Sequence, residues 1–209
     1  MLDPEILQEG AKRVLEVNEK EAAKIGINPC ARGTCVKPDG NSASALASYS
    51  GSGGGKFRRG FRIVQANKSE APYQYFKSIN PEACQESRWS ANNTDDCIRF
   101  CAEYEGILEE DMGAVEYLEH VKTIQTNWVS AGKVPSRCSQ PWLSHNVSNT
   151  VRVRDGEWDA VAKQIFDNQN FYAGVSLLSQ SGDRDYVQAP FTSVYLPEDV
   201  MEIAKYVDV

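Results

Sequence analysis

Lys37-Pro38-Asp39-Gly40-Asn41-Ser42 is the stretch whose residue types and spacing best suit chemistry. The β-prone residues Thr34 to Lys37 run into turn-forming Pro38 to Asn41, and the small residues from Ser42 to Tyr49 begin a helix. This order predicts a strand, a tight loop and a helix N-terminus in succession. At such an N-terminus the first backbone N–H groups are unpaired and the helix dipole is positive. A glycine that admits a ligand and a serine hydroxyl beside it then make an anion site. The same residues also read as a plain strand-to-helix turn capped by Asn41 or Ser42, and both readings stand at this point.

Other stretches carry weaker chemistry. Gly51-Ser52-Gly53-Gly54-Gly55-Lys56 has the glycines of a nucleotide loop, but Phe57 follows where a P-loop needs a serine or threonine for magnesium. Residues 50–60 are therefore expected to be a flexible surface loop, with Lys56, Arg58, Arg59 and Arg62 on a solvated face. His120 and His145 stand away from any cysteine pair, so a zinc site has no support, and Cys97 and Cys101 are expected to be buried thiols. Asn28-Pro29-Cys30 begins like Asn-x-Cys-x-Glu, which would gather an amide, a thiol and a carboxylate, but Arg32 occupies the carboxylate position. A hydrolase assembled from residues distant in sequence stays open, without a nucleophile-elbow pattern to support it.

The elements that must position these residues alternate. Asp3 as N-cap, Pro4 in the first turn and Gly26 as terminator frame a helix to about Ile25. Further helices are expected over 71–79, 113–129 and 157–166, and from Pro197 to about Tyr206. Strands are expected at 34–37, 61–64, 97–100, 150–153 and 174–178. Alternation of this kind predicts an α/β fold with parallel pairing, in one domain.

Bulk properties narrow the function. The chain has 209 residues, 41% hydrophobic and 24% charged, ordinary for a globular protein. A formal net charge of -7 argues against a nucleic-acid surface, which needs clustered cations. No apolar run reaches the roughly 20 residues of a membrane span, and the acidic start Met1-Leu2-Asp3-Pro4-Glu5 is unlike a secretory signal. A cytoplasmic chain with no membrane partner is expected, its six cysteines reduced.

Several stretches, in order, resemble the monomeric type of class II ribonucleotide reductase. They are residues 31–41 (Ala-Arg-Gly-Thr-Cys-Val-Lys-Pro-Asp-Gly-Asn), 61–65, 80–82, 89–90, 144–148, 157–158, 174–178 and 186–191. The resemblance implies the C-terminal portion of the family's ten-stranded α/β barrel, as a single partial domain over 1–209 with a phosphate-binding loop at 36–42. It implies that Lys37, Asp39, Gly40, Asn41 and Ser42 line the site for the phosphates of a ribonucleotide substrate. In that family adenosylcobalamin generates a thiyl radical on a finger-loop cysteine within Asn-x-Cys-x-Glu. Cys30, which stands just before the phosphate loop, is not that cysteine. The family's reducing cysteine pair is also missing, as are the histidines it carries where residues 51–59 stand.

The expectation is a fragment or subunit of a class II ribonucleoside triphosphate reductase. It would act only with an N-terminal reductase fragment that carries the radical cysteine, or through self-association; adenosylcobalamin would belong to the assembled enzyme. Asp39 stands where the family has serine, a charge that costs about 1–4 kcal/mol beside a phosphate. The alternative is a non-catalytic, barrel-derived binding or assembly protein.

Overall fold

Asp3 caps the first helix, α1 (Pro4–Ile25), by accepting a hydrogen bond from the Glu5 N–H at 2.8 Å, and Gly26 closes it in the left-handed conformation at φ 74°. The structure, a computed structural model, describes residues 3–38, 51–180 and 188–193. Asp39, Gly40, Asn41 and Ser42 and the helices expected from Ser42 and from Pro197 lie outside these residues. Within the span read as one domain, contacts gather into two compact units. One comprises the chain to Gly53 with Met112–Gly182, the other Gly54–Asp111 with the residues from Asp183.

In the first unit, the helix expected over 113–129 is α-helical over Ala114–Ile124 and widens into a π-helical turn over Gln125–Ser130. We call the α-helical part, with α2 kept for the helix Ala71–Ile79 of the other unit, α3. Thr34 bonds to this widened turn. Its buried hydroxyl donates to the Trp128 carbonyl at 2.7 Å, and the Trp128 indole N–H donates to the Cys35 carbonyl at 3.1 Å. Residues 34–37 are consequently an extended segment and not the expected strand. They are held by single backbone pairs, Arg32 with Lys133 antiparallel and Val36 with Val147 parallel.

Val151–Val153 (β4) pairs in parallel with Leu177–Ser179 (β5), across a crossover through the helix Trp158–Asp167 (α4). Leu118, Val121, Val147, Val151, Val153 and Val161 are fully buried and form the centre of this unit's core. The apolar stripe that marked α3 in the sequence is the face turned to them.

The second unit corrects the expectation of parallel pairing. Its sheet has the order β2-β3-β1-β6, built from Cys84–Glu86 (β2), Asp95–Glu103 (β3), Arg59–Asn67 (β1) and Phe191–Ser193 (β6), and every pairing is antiparallel. The connection through α2 does leave β1 and β2 pointing the same way, as a strand–helix–strand crossover should. However, the short return from β2 inserts β3 between them, and two antiparallel ladders replace one parallel ladder. The three-residue β2 carries no periodicity of its own, so alternation alone misread the sheet. Tyr73 and Ala83 pack with Ile98 under α2, joined by Phe76 and Ala66.

Candidate functional site

The sequence placed the site at 36–42, and the structure describes its base. Val36 accepts from the Ser148 N–H at 2.9 Å and donates to the Asn146 carbonyl at 3.3 Å. On the far side of residues 39–50, Ser52 returns to the same segment. Its N–H and hydroxyl donate to the Ser148 carbonyl at 3.4 and 2.9 Å, and its oxygen lies 3.0 Å from the buried Tyr117 hydroxyl. Gly51 makes the return possible. Its φ is 69°, and a Cβ there would lie 3.2 Å from the Ser148 carbonyl and 3.8 Å from that of Lys37.

Residues 36–38 and 51–52 thus leave one backbone segment, 146–148. Lys37 and Pro38 are exposed at its edge. Ser52, Tyr117 and Ser148 were not foreseen as site residues. Ser148 lies in a stretch that resembles the reductases, and a serine beside the glycine run was the signal for Ser52.

The other candidates separate. Cys30 donates its N–H to the Asn18 side chain at 2.8 Å and is partly buried. Cys97 is buried, but Cys101, on the same face of β3, is exposed, which corrects the expectation that both are buried. Strand period two puts both on that face, at the end of which the cover stops. His145 places Nδ1 3.0 Å from the Thr34 carbonyl. His120 stacks on Tyr117, and burial holds its imidazole below the ordinary histidine pKa. Among the described residues no group of three or more histidines, cysteines or carboxylates is gathered to hold a metal ion.

In the second unit, Gly54 and Gly55 are buried where a surface loop was expected. A Cβ on Gly54 would come within 2.8 Å of the backbone at Ile107–Glu109, and one on Gly55 would meet the Tyr104 ring. The glycines admit a neighbouring chain segment, as shown by the Gly55 N–H to Ile107 carbonyl bond of 2.9 Å. The basic residues next to them are matched by carboxylates: Lys56 with Glu109, Arg58 with Asp111 at 3.1 Å, and Arg59 with Glu103 at 2.8 Å.

A polar cluster that the sequence did not announce lies under α2. Tyr73 and Lys77, one helical turn apart, both reach the buried Asp96 carboxylate of β3; Lys77 Nζ is 2.7 Å away and Lys68 Nζ 3.3 Å. Burial opposes ionisation of Asp96, but the hydrogen bonds from Lys77, Tyr73 and Lys68 outweigh it and hold the carboxyl below its ordinary pKa. Burial and the Asp96 bond push the Tyr73 phenol up to about 12. A buried carboxylate held by three donors pins a helix to a sheet.

No family model matches this chain, and no curated protein does. A solved structure does: the crystal structure of a B12-dependent (class II) ribonucleotide reductase superposes with a TM-score of 0.68 at 16% identity, covering 97% of this chain and 26% of that one. The chain therefore spans about a quarter of that enzyme's length, and at this identity the likeness is one of fold. The protein is a mixed α/β chain whose fold is similar to part of a class II ribonucleotide reductase.

Proposed function

We propose that the chain is the C-terminal portion of a class II ribonucleotide reductase barrel and that it holds the phosphates of a ribonucleoside triphosphate. In this reading the backbone amides of Gly40 and Asn41, the Ser42 hydroxyl and the Lys37 ammonium receive the phosphates, and Asp39 weakens the grip. A partner chain supplies the remaining barrel and the radical cysteine. The observation that carries the reading is the fold likeness over 97% of the chain. The anchoring of Val36 and Ser52 on residues 146–148 supports it, because a phosphate loop needs a fixed base.

Adenosylcobalamin, where bound, supplies the radical. In this reading the cofactor belongs to the assembled enzyme, and this chain's own task is to bind and orient substrate. A cytoplasmic setting and reduced thiols belong to the same proposal.

Calorimetry with a ribonucleoside triphosphate and with the bare nucleoside tests it. The triphosphate is expected to bind and the nucleoside to bind weakly. Ser42→Ala is expected to lose about tenfold, the worth of one charge-assisted hydrogen bond of about 1.5 kcal/mol. The absence of any triphosphate affinity overturns the reading. It would favour a non-catalytic, barrel-derived binding or assembly protein, which the charge of Asp39 in the loop already favours as the second reading.

A further inference from the structure

Val36 and Val147 stand opposite each other in a parallel pair, with the Val36 N–H on the Asn146 carbonyl at 3.3 Å and the Ser148 N–H on the Val36 carbonyl at 2.9 Å. Residues opposite each other in such a pair turn their side chains to one side, and the residues next to them turn theirs to the other. The first side is closed. Val147 is fully buried in the core with Leu118 and Val121 of α3, and Thr34, two residues before Val36, sends its buried hydroxyl to the Trp128 carbonyl. The second side carries Cys35 and Lys37 from one segment and Asn146 and Ser148 from its neighbour. Cys35, Lys37 and Asn146 are exposed there, and Ser148 is half-buried.

These side chains stand at two levels. Lys37 and Ser148 are nearer to residues 39–42, and Cys35 and Asn146 lie one alternation further back, about 6.6 Å along an extended chain. That spacing is comparable to the one between the phosphate of a nucleotide and the hydroxyls of its ribose. At the further level the Cys35 thiol is a weak hydrogen-bonding group, whereas the Asn146 amide carries a strong donor and a strong acceptor on adjacent branches. The vicinal hydroxyls of a ribose offer an acceptor and a donor at matching positions. Among the described residues the Asn146 amide makes no hydrogen bond. Gly174, whose carbonyl accepts from the Asn149 side chain at 2.9 Å, borders it. A Cβ on Gly174 would lie 3.7 Å from Asn146 Oδ1 and 3.8 Å from Nδ2, so a larger side chain would cover the amide, and the glycine leaves it open to a ligand.

We infer that Asn146 is a specificity-determining residue of the candidate site, its amide binding the vicinal 2′ and 3′ hydroxyls of a ribonucleotide whose phosphates lie beyond Lys37. This deepens the reading given under Proposed function and rests on it. A nucleotide held at 39–42 and lying back along the uncovered side brings its ribose over Cys35 and Asn146. The backbone carbonyl of Asn146 is fixed by the Val36 N–H, so the amide is presented from a tethered position and little order has to be gained on binding.

The test is calorimetry on the full chain, as wild type and Asn146→Ala, with a ribonucleoside triphosphate, its 2′-deoxy counterpart and inorganic triphosphate. Wild type is expected to bind the ribose form about tenfold more tightly than the deoxy form, as one hydrogen bond gives. Asn146→Ala is expected to abolish that preference and to bind inorganic triphosphate as wild type does. A wild type without the preference, or a preference that Asn146→Ala keeps, overturns the inference; inorganic triphosphate bound in either case leaves the phosphate reading intact. Loss of inorganic triphosphate binding in Asn146→Ala also overturns it, because the amide would then serve the loop and not the ribose. No affinity for any of the three ligands overturns the phosphate reading, and the inference with it. Circular dichroism of Asn146→Ala should match wild type, since the changed side chain is exposed.

Discussion

The Ser52 hydroxyl donates to the Ser148 carbonyl at 2.9 Å, and through this bond the chain leaving residues 39–50 rejoins the segment on which Val36 is already paired. Replacing Ser52 with alanine leaves the carbonyl with the longer N–H bond of 3.4 Å and removes the 3.0 Å contact with the Tyr117 hydroxyl. A stability loss of about 1 kcal/mol is expected from chemical denaturation. Triphosphate affinity should fall in the same variant, because the base of the loop is loosened. Unchanged affinity together with lost stability would separate Ser52 from the site.

Gly132 is a tighter approach in this unit. A Cβ there would meet the Thr34 hydroxyl and lie 2.6 Å from Thr34 Cγ2, while Thr34 is tied to the π-helical turn through the Trp128 carbonyl. Gly132→Ala is therefore expected to cost about 1–3 kcal/mol, as overpacking does. Thr34→Ala in the same chain should recover part of that loss, because it removes the obstructing hydroxyl and methyl. Urea midpoints of the two single variants and the double variant measure the coupling. Simple additivity of the two losses would contradict the contact.

How far the sequence could be read depended on whether the signal was local. Asp3, Pro4 and Gly26 frame α1 by chemistry that acts within one turn, and α2 runs over the expected residues 71–79. The helix expected over 113–129 does run on to Ser130, but its last turn is π-helical, and Thr34, about ninety residues earlier, bonds to the Trp128 carbonyl in that turn. The sheet was misread because Cys84–Glu86 is too short to show a period, yet it decides where β3 inserts. At the candidate site, Lys37 to Ser42 announced themselves by local turn and anion chemistry. Ser52 and Tyr117 did not, since their roles depend on meeting Ser148 in space. An aspartate in a strand, such as Asp96, reads as part of a solvated face until the helix above supplies Tyr73 and Lys77 and the turn before that helix supplies Lys68.

Asp96→Ala removes the carboxylate that binds Lys68, Lys77 and Tyr73. The two lysines are partly exposed and can return to water, but the buried Tyr73 hydroxyl loses its acceptor. A loss of about 1–3 kcal/mol is expected from denaturant unfolding, with the helix signal over α2 weakened in hydrogen exchange. Triphosphate affinity at the candidate site should stay as in wild type, because the cluster belongs to the other compact unit. A fall in affinity with no change in stability would show the cluster to be functional instead of structural.

The same cluster sets a pH dependence with two arms. Asp96 is held below its ordinary carboxyl value of 3.8, so its contribution is present above that value and is lost as pH falls through the lower folded one. Tyr73 is pushed the other way, from 10.0 up to about 12, so its contribution is full below pH 10 and is lost as pH rises toward about 12. Lys77, whose ammonium is favoured by the Asp96 bond, is also raised, and its share too is lost on the alkaline side. Tyr73→Phe should remove the tyrosine part of the alkaline slope and leave the acid arm nearly unchanged, because Lys77 and Lys68 still hold the carboxylate. Unfolding midpoints measured between pH 9 and about 12, with tyrosinate absorbance followed in parallel, test this directly. An alkaline slope identical in wild type and Tyr73→Phe would mean that the phenol does not share its proton with Asp96 in solution.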